Sequence, residues 1–477
     1  MEGLEISEVF FHELLKVETF RFDSEYFQKK YLYIDQLISG KANQFKEFND
    51  LELSVDASAF YPSLEPYYGS GNFPFLRVKD VDTNIDYENC IRIPLEIVNS
   101  SSFKTLRIIS KGDIVITKGG SIARVGLIEE KTAVTRDLIF IDSSRLSEID
   151  YKFLFLYLLS SICYDQLIRS SSMTAQPHLT ITLVRNLKLF EPSYSFKEQT
   201  VQAYNLSKGL LVKSREVYQS AEKILLDELG LKNFQPSQEP VNVKSFSESF
   251  DSSGRLDAEY YQIKYEQVVE RIKSTNHDRL TDIVKIKKSI EPGSAHYSEE
   301  GLPFVRVSDY DKFGLSTPDK YLTDEFCKEN AELIKKLKPK KETILFSKDG
   351  SVGTAYMLRK DADFITSSAI LHLTVKDKTK IIPEYLTLAL NSKLVQMQAE
   401  RDAGGSIILH WRVSEIENVV VPVIDFDKQR EIADLVEESF KLKKQSEYLL
   451  EVAKTAVEMA IEQDEETAIL YINQNSI

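Results

Sequence analysis

The chain has 477 residues, 42% of them hydrophobic and 10% aromatic, with 60 basic and 74 acidic side chains for a net charge of −14. Its length corresponds to two or three domains of roughly 150 residues each, its apolar content excludes a disordered polymer, and its acidity excludes a protein that coats nucleic acid indiscriminately. Three scattered cysteines (Cys90, Cys163, Cys327) exclude a disulfide framework and a paired-cysteine zinc site; with an acidic start and no long apolar run, a reduced, cytoplasmic setting away from membranes is expected.

Taken in chain order, the first structured segment is Arg21-Phe-Asp-Ser-Glu-Tyr-Phe-Gln-Lys-Lys-Tyr31, a helix-like stretch whose Tyr26 and Tyr31 are expected in a core. Short apolar runs bounded by glycines follow. Gly112-Asp-Ile-Val-Ile-Thr117 reads as a half-buried strand that opens into the turn Lys118-Gly-Gly-Ser121. Tyr151 to Ile168 is helix-like, and Ser170 to His178 is a loop of small and polar residues. From Lys197 to Leu229 there is no proline and one glycine, Gly209, which predicts a long helix. Leu206, Leu210, Val217 and Ile224 approximate coiled-coil spacing there, with Lys213 and Ser220 interrupting the seam. Gly230 suits the residue just past that helix, and the run to Pro240 reads as a linker.

The same order then returns. Arg255-Leu-Asp-Ala-Glu-Tyr-Tyr-Gln-Ile-Lys-Tyr265, with Tyr260 and Tyr265, repeats the first segment 234 residues on. Phe73 to Asp82 returns as Leu302 to Asp311 after 229 residues, and Thr117 to Ile122 as Ser347 to Val352 after 230. His178 pairs with His410 and Asn186 with Asn418 at 232, and Phe196 to Gln199 with Phe426 to Gln429 at 230. Near-constant spacing means a duplicated, mixed α/β unit. In the second copy a strand falls at Thr343 to Phe346, a helix at Glu384 to Gln398 and a long helix at Lys428 to Gln463. Leu435, Leu442 and Leu449 lie seven apart in that helix, and Ala453, Ala456 and Ala460 permit close contact. The expected division is a first domain at 1–195, a long helix at 196–232, a linker at 233–245, a second domain at 246–425, a second long helix at 426–463 and an acidic, frayed tail at 464–477.

Neither phosphate-binding glycine pattern is present, no Asn/Asp-Pro-Pro-aromatic tetrapeptide of the adenine methyltransferase type occurs, and the six histidines lack metal-ligand spacing. Asp113 with Glu129-Glu-Lys131 resembles the carboxylate set of metal-dependent nucleases, but the second copy has Arg359-Lys-Asp361 where the Glu-x-Lys belongs, which argues for an ordinary hairpin. The turns Lys118-Gly-Gly-Ser121 and Lys348-Asp-Gly-Ser351 can cradle a backbone phosphate or serve as plain tight turns. Arg124 and Arg136 lie in a mildly basic zone, 101–200, which recurs at 301–400 inside the acidic chain. Arg77 and Arg306, each three residues before an aspartate, are expected to be structural.

The order of elements resembles the DNA specificity subunit of type I restriction-modification systems over nearly the whole chain. The resemblance is carried by Gly112 to Gly126, by Thr174-Ala-Gln-Pro-His178 leading to Val184-Arg-Asn-Leu-Lys-Leu189, and by the entries into the long helices at Pro192 to Gln199 and Pro422 to Gln429. It implies a non-catalytic reader with two tandem target-recognition domains, each followed by a long helix, the two helices packed as an antiparallel coiled coil about an approximate twofold. Each domain would read one half of a divided, asymmetric site on double-stranded DNA. A helix of 33 residues, 197 to 229, is about 50 Å long and would set the half-sites roughly one to one and a half turns apart. The implied partners are two methyltransferase subunits, which bind S-adenosylmethionine, and often restriction or translocase subunits that use ATP and Mg²⁺; no cofactor or metal is implied for this chain. The resemblance assigns no base-contacting residue. The DNA-binding candidates are therefore loop residues in or beside the basic zones: Lys118, Ser121, Arg124, Arg136, Thr174, Gln176 and His178 in the first copy, and Lys348, Ser351, Ser367, His410 and Arg412 in the second. The second copy departs from the family's loop, with Ser406-Ile-Ile-Leu-His410 in place of Thr-Ala-Gln-Pro-His. A scaffold that binds methyltransferase without reading DNA, and a metal-dependent nuclease, are the alternatives.

Overall fold

The computed structural model describes residues 6–14, 23–48, 50–51, 53–59, 63–171, 178–232, 234–237, 239, 241–404 and 409–476. The chain divides into two compact units, one made of 1–209 together with 445–477, the other of 210–444.

In the first unit a helix at Lys29–Gly40 precedes β1 (Phe45–Lys46), β2 (Ser54–Ala57), β3 (Phe73–Leu76), β4 (Ile91–Ile93), β5 (Arg107–Ile109), β6 (Ile114–Thr117), β7 (Val125–Leu127), β8 (Thr132–Val134), β9 (Leu138–Asp142) and β10 (Leu189–Phe190). They form a β1–β10 pair and two four-stranded sheets, β2-β9-β6-β7 and β4-β3-β8-β5. Residues 114 to 116 of β6 are fully buried, as a run of β-branched residues covered on both faces must be. The helix at Glu148–Leu158 buries six consecutive residues, Phe153 to Leu158, which marks an interior helix.

The second unit has β11 (His277–Arg279), β12 (Val284–Lys288), β13 (Tyr297–Ser298), β14 (Leu302–Val305), β15 (Tyr310–Asp311), β16 (Gly314–Leu315), β17 (Tyr321–Leu322), β18 (Ile344–Ser347), β19 (Ala355–Met357), β20 (Ile365–Thr366), β21 (Ile370–Val375) and β22 (Val420–Pro422). The order β12-β21-β18-β19 repeats β2-β9-β6-β7, and β11–β22 repeats β1–β10. In the other sheet the parallel pair β14–β20 repeats β3–β8. The copies differ at its edges, where β5 has no counterpart and β13 is added, and the second unit also carries a separate β15–β16 hairpin. The chain is thus two tandem α/β domains, as the repeat requires.

Three expectations need correction. The helix-like stretches 151–168 and 384–398 are each two helices, broken at Ser160 and Ser392, which adopt extended backbone. The Ser160 hydroxyl accepts from the Cys163 N–H at 3.2 Å and donates to the Tyr157 carbonyl at 2.6 Å, so the serine caps the second helix and ends the first. The segment read as a frayed tail is a helix at Glu465–Asn475, capped by Asp464 and anchored in the first unit's core through Ala468 and Ile472.

The third correction concerns the long helices, Tyr194–Glu228 and Phe426–Glu462. They run antiparallel in each unit: in the first, Ser193 meets Glu465 and Ser207 meets Ser446; in the second, Ser214 meets Ser439 and Glu228 lies 3.9 Å from Lys428. The buried stripe of the first helix is Tyr204, Ser207, Leu211, Ser214, Tyr218, Ala221 and Leu225, alternating steps of three and four. Leu206 is 49% exposed, and Leu210, Val217 and Ile224 are half-buried beside that stripe. In the second helix Leu442, Leu449 and Ala456 are buried and Leu435 is half-buried. In the first helix the aliphatic residues lie one position off the buried stripe because serines occupy two of its layers. Their hydroxyls satisfy themselves across the helices: Ser207 donates to the Ser446 carbonyl at 2.7 Å, and Ser214 and Ser439 each donate to the other's carbonyl at 2.8 Å.

Gly230 ends the first long helix at φ +63, and the Leu231 N–H returns to the Leu226 carbonyl at 2.7 Å, a left-handed cap that glycine adopts without steric cost.

Candidate nucleic-acid interface

Both glycine turns connect the central strand of a sheet to its edge strand, β6 to β7 in the first unit and β18 to β19 in the second. One buried hydroxyl braces each turn. Thr117 Oγ1 donates to the Ser121 carbonyl at 2.5 Å and accepts the Arg124 N–H at 2.9 Å, and Ser347 Oγ repeats both bonds with Ser351 and Thr354. The strand thereby fixes where the turn's exposed residues sit.

In the first unit this rim gathers Lys118, Ser121, Arg124 and His178. Lys118 is half-buried, while Ser121, Arg124 and His178 are exposed. The Lys118 carbonyl accepts the Leu179 N–H at 2.9 Å, which brings His178 over Gly119. The Arg124 guanidinium donates to Ser121 Oγ at 3.3 Å, and among the described residues Lys118 has no carboxylate partner. Arg136, exposed and 3.9 Å from Asp137, lies beside the turn because the Lys118 N–H donates to the Asp137 carbonyl. Thr174 and Gln176 lie outside the described residues.

In the second unit the Lys348 carbonyl accepts the Trp411 N–H at 2.8 Å, so His410 takes the place of His178. Asp349, which sequence reading passed over, sits between the two candidates: its carboxylate contacts the Lys348 ammonium and accepts from His410 Nδ1 at 2.9 Å. The only signal for it was the exchange of Gly119 for aspartate in otherwise matching turns. Ser351 is exposed and Arg412 is 81% exposed, its guanidinium 3.9 Å from Glu415. Ser367 is buried and its hydroxyl lacks a partner among the described residues, so it lies beneath the rim rather than on it.

Other sequence readings find structural places. The Asp80 and Asp309 carboxylates accept the main-chain N–H groups of Arg77 and Arg306 at 3.0 and 2.8 Å, and the guanidinium groups reach Asp80 and Asp319 respectively. Tyr31 and Tyr265 are buried, and Tyr26 and Tyr260 lie half-buried under Arg169 and Arg401, at 4.2 and 5.1 Å from the ring centres. Asp113 spends both carboxylate oxygens on the N–H groups of Ser110 (2.7 Å) and Ser143 (3.0 Å), and Glu129 pairs with Lys208. That carboxylate organises two turns and is not poised to hold a metal. Among the described residues no helix is long and apolar enough to cross a membrane.

Two copies of one α/β domain each present a braced glycine turn with basic and hydroxyl side chains at its rim. Over residues 44–208 and 275–451 the chain matches the family described as type I restriction modification DNA specificity domain, and it belongs to that family. Membership implies DNA sequence recognition by a chain that is not itself a catalyst. The chain is also similar to the S subunit of a type I restriction-modification system from M. genitalium, at 14% identity over 90% of this chain and 95% of that one, with a TM-score of 0.36. The HsdS subunit from Thermoanaerobacter tengcongensis is 14% identical over 86% of this chain and 97% of that one, with a TM-score of 0.26.

Proposed function

We propose that the chain reads a two-part, asymmetric DNA site, one half with each domain, and positions two methyltransferase subunits on it, together with restriction subunits where the system has them. The observation that carries this reading is the duplication of a whole domain with the same central sheet order and different residues on its rim. Equal scaffolds place their rims alike, while unequal rims select unequal half-sites. S-adenosylmethionine belongs in this reading to the methyltransferase subunits, and ATP with Mg²⁺ to a nuclease partner; this chain contributes contacts to DNA phosphates and bases and no bond-making step. The acidity of the chain fits a reader whose DNA is enclosed chiefly by its partners.

The test is sequencing of methylated adenine in host DNA with and without this gene. Loss of a two-part motif with a fixed gap on deletion supports the reading, and exchange of one domain then changes one part of the motif. An unchanged methylation pattern overturns it. The scaffold alternative is favoured by one observation, the carboxylate of Asp349 inside the second turn. It predicts that the Lys118→Ala, Arg124→Ala double variant leaves the DNA affinity of the assembled complex unchanged; the reading proposed here predicts weaker binding with assembly intact.

A further inference from the structure

The two turns differ most at their second residue. In the first unit the His178 ring lies so close over Gly119 that a Cβ there would stand 2.9 Å from Cε1 and 3.0 Å from Nδ1. A carboxylate cannot occupy that position without displacing the ring. In the second unit the aligned residue is Asp349, and its side chain is engaged twice, by the Lys348 ammonium through Oδ2 and by His410 Nδ1 at 2.9 Å through Oδ1. An antiparallel bridge between Asp349 and His410, with the Gly350 N–H donating to the Leu409 carbonyl at 2.8 Å, fixes the backbones on both sides. Asp349 is only 19% exposed at its side chain. An anion held by a lysine and a histidine at a glycine turn engages the same kind of groups that a phosphate would.

Resting on the DNA-reading function proposed above, we infer that Asp349 is a built-in phosphate surrogate. It closes the second unit's turn to the DNA backbone, so the phosphate contact at this structural position is made by the first unit alone, through Lys118 with Ser121 and Arg124. The two units then hold DNA unequally: one contributes a salt-dependent grip at its turn, and the other has that charge neutralised internally.

The experiment measures the affinity of the full chain, assembled with its methyltransferase subunits, for a duplex carrying the methylated motif, between about 50 and 200 mM salt, where each phosphate contact contributes about 0.9 to the slope of log K against log salt. Lys118→Ala flattens the slope by about one contact, and Lys348→Ala leaves it unchanged. Asp349→Asn, which keeps the size and removes the charge, releases Lys348 and steepens the slope by about one contact; adding Lys348→Ala returns it to the starting value. Asp349→Gly, which recreates the first unit's residue, is the second variant and gives the same steepening. The inference is overturned if Lys348→Ala flattens the slope as much as Lys118→Ala, or if neither Asp349 variant changes it. A wild-type assembly that binds the motif no better than a scrambled duplex overturns the DNA-reading function itself, and that result is read without any variant.

Discussion

At the bends flanking the central strand, the two units carry left-handed backbone at the same places but assign glycine differently. Where β6 begins, the first unit uses Gly112 at φ +97, and the second uses Glu342 at φ +67. At the inner side of the glycine turn the assignment reverses, with Ala123 at φ +62 in the first unit and Gly353 at φ +83 in the second. The hydrogen bonds are the same in both: Gly112 and Glu342 donate to Ile128 and Leu358, and Ala123 and Gly353 donate to Thr117 and Ser347. The fold therefore fixes the conformation, and each copy carries one side chain at a site that favours glycine. Equivalent positions in a duplicated chain can drift in opposite directions while the ladder around them stays intact.

The largest test of this comparison lies beneath the turns, where Trp411 of the second unit stands in place of Leu179. Trp411 is 1% exposed and packs on Phe346, ring centres 5.7 Å apart. Trp411→Ala is expected to lower the stability of the second unit by about 3–5 kcal/mol, and Leu179→Ala that of the first by about 2–5 kcal/mol, both read by denaturant unfolding followed by circular dichroism. Retention of full stability by Trp411→Ala would break the assignment of this residue to the core. An intermediate effect comes from His372, which occupies in β21 the place of Phe140 in β9. Burial, with the Lys287 charge adding to it, pushes its imidazole down from 6.5 to about 4. The unfolded chain then takes up the proton at a higher pH than the fold does. Stability is full above about pH 6.5 and declines as pH falls toward 4, by at most about 3 kcal/mol. His372→Phe removes that slope, and a slope unchanged by this substitution counts against the assignment. The smallest effect is at the bends: Glu342→Gly and Ala123→Gly are each expected to gain up to about 1 kcal/mol by relieving left-handed backbone, since the Glu342 pair with Lys378 is at the surface and contributes little. Melting temperatures that fall in both variants would show that the bends are not strained.

Much of the fold was legible because duplication prints each element twice: a strand or helix inferred weakly in one copy is supported at a fixed offset in the other. The helix breaks at Ser160 and Ser392 were less visible, since the surrounding apolar residues outweigh one serine in any periodicity count. The stripe of the first long helix was misplaced for a related reason, because Ser207 and Ser214 are buried by bonding to a facing carbonyl, a partner that helix periodicity does not contain. The terminal helix looked like solvated charge, although its Asp464, Glu465 and Glu466 form the favourable acidic first turn of a helix whose later residues are apolar. Of the candidate site, Lys118, Ser121, Arg124 and His178 could be gathered from the repeat, but the contact between Asp349 and His410 spans 61 residues and exists only once β18 and the loop before Trp411 are in place.

The composition of the first unit sets a timetable for synthesis. Its core includes Val452, Ala453, Ala456, Val457, Ala460, Ile461, Ala468 and Ile472, all translated after the whole of the second unit, 210–444. The second unit can close while the ribosome is still at work. The first must wait with the apolar faces that receive those residues exposed, for tens of seconds at roughly 5–20 residues per second. A chain interrupted late in synthesis thus carries one domain with all its core residues and one that lacks part of its core.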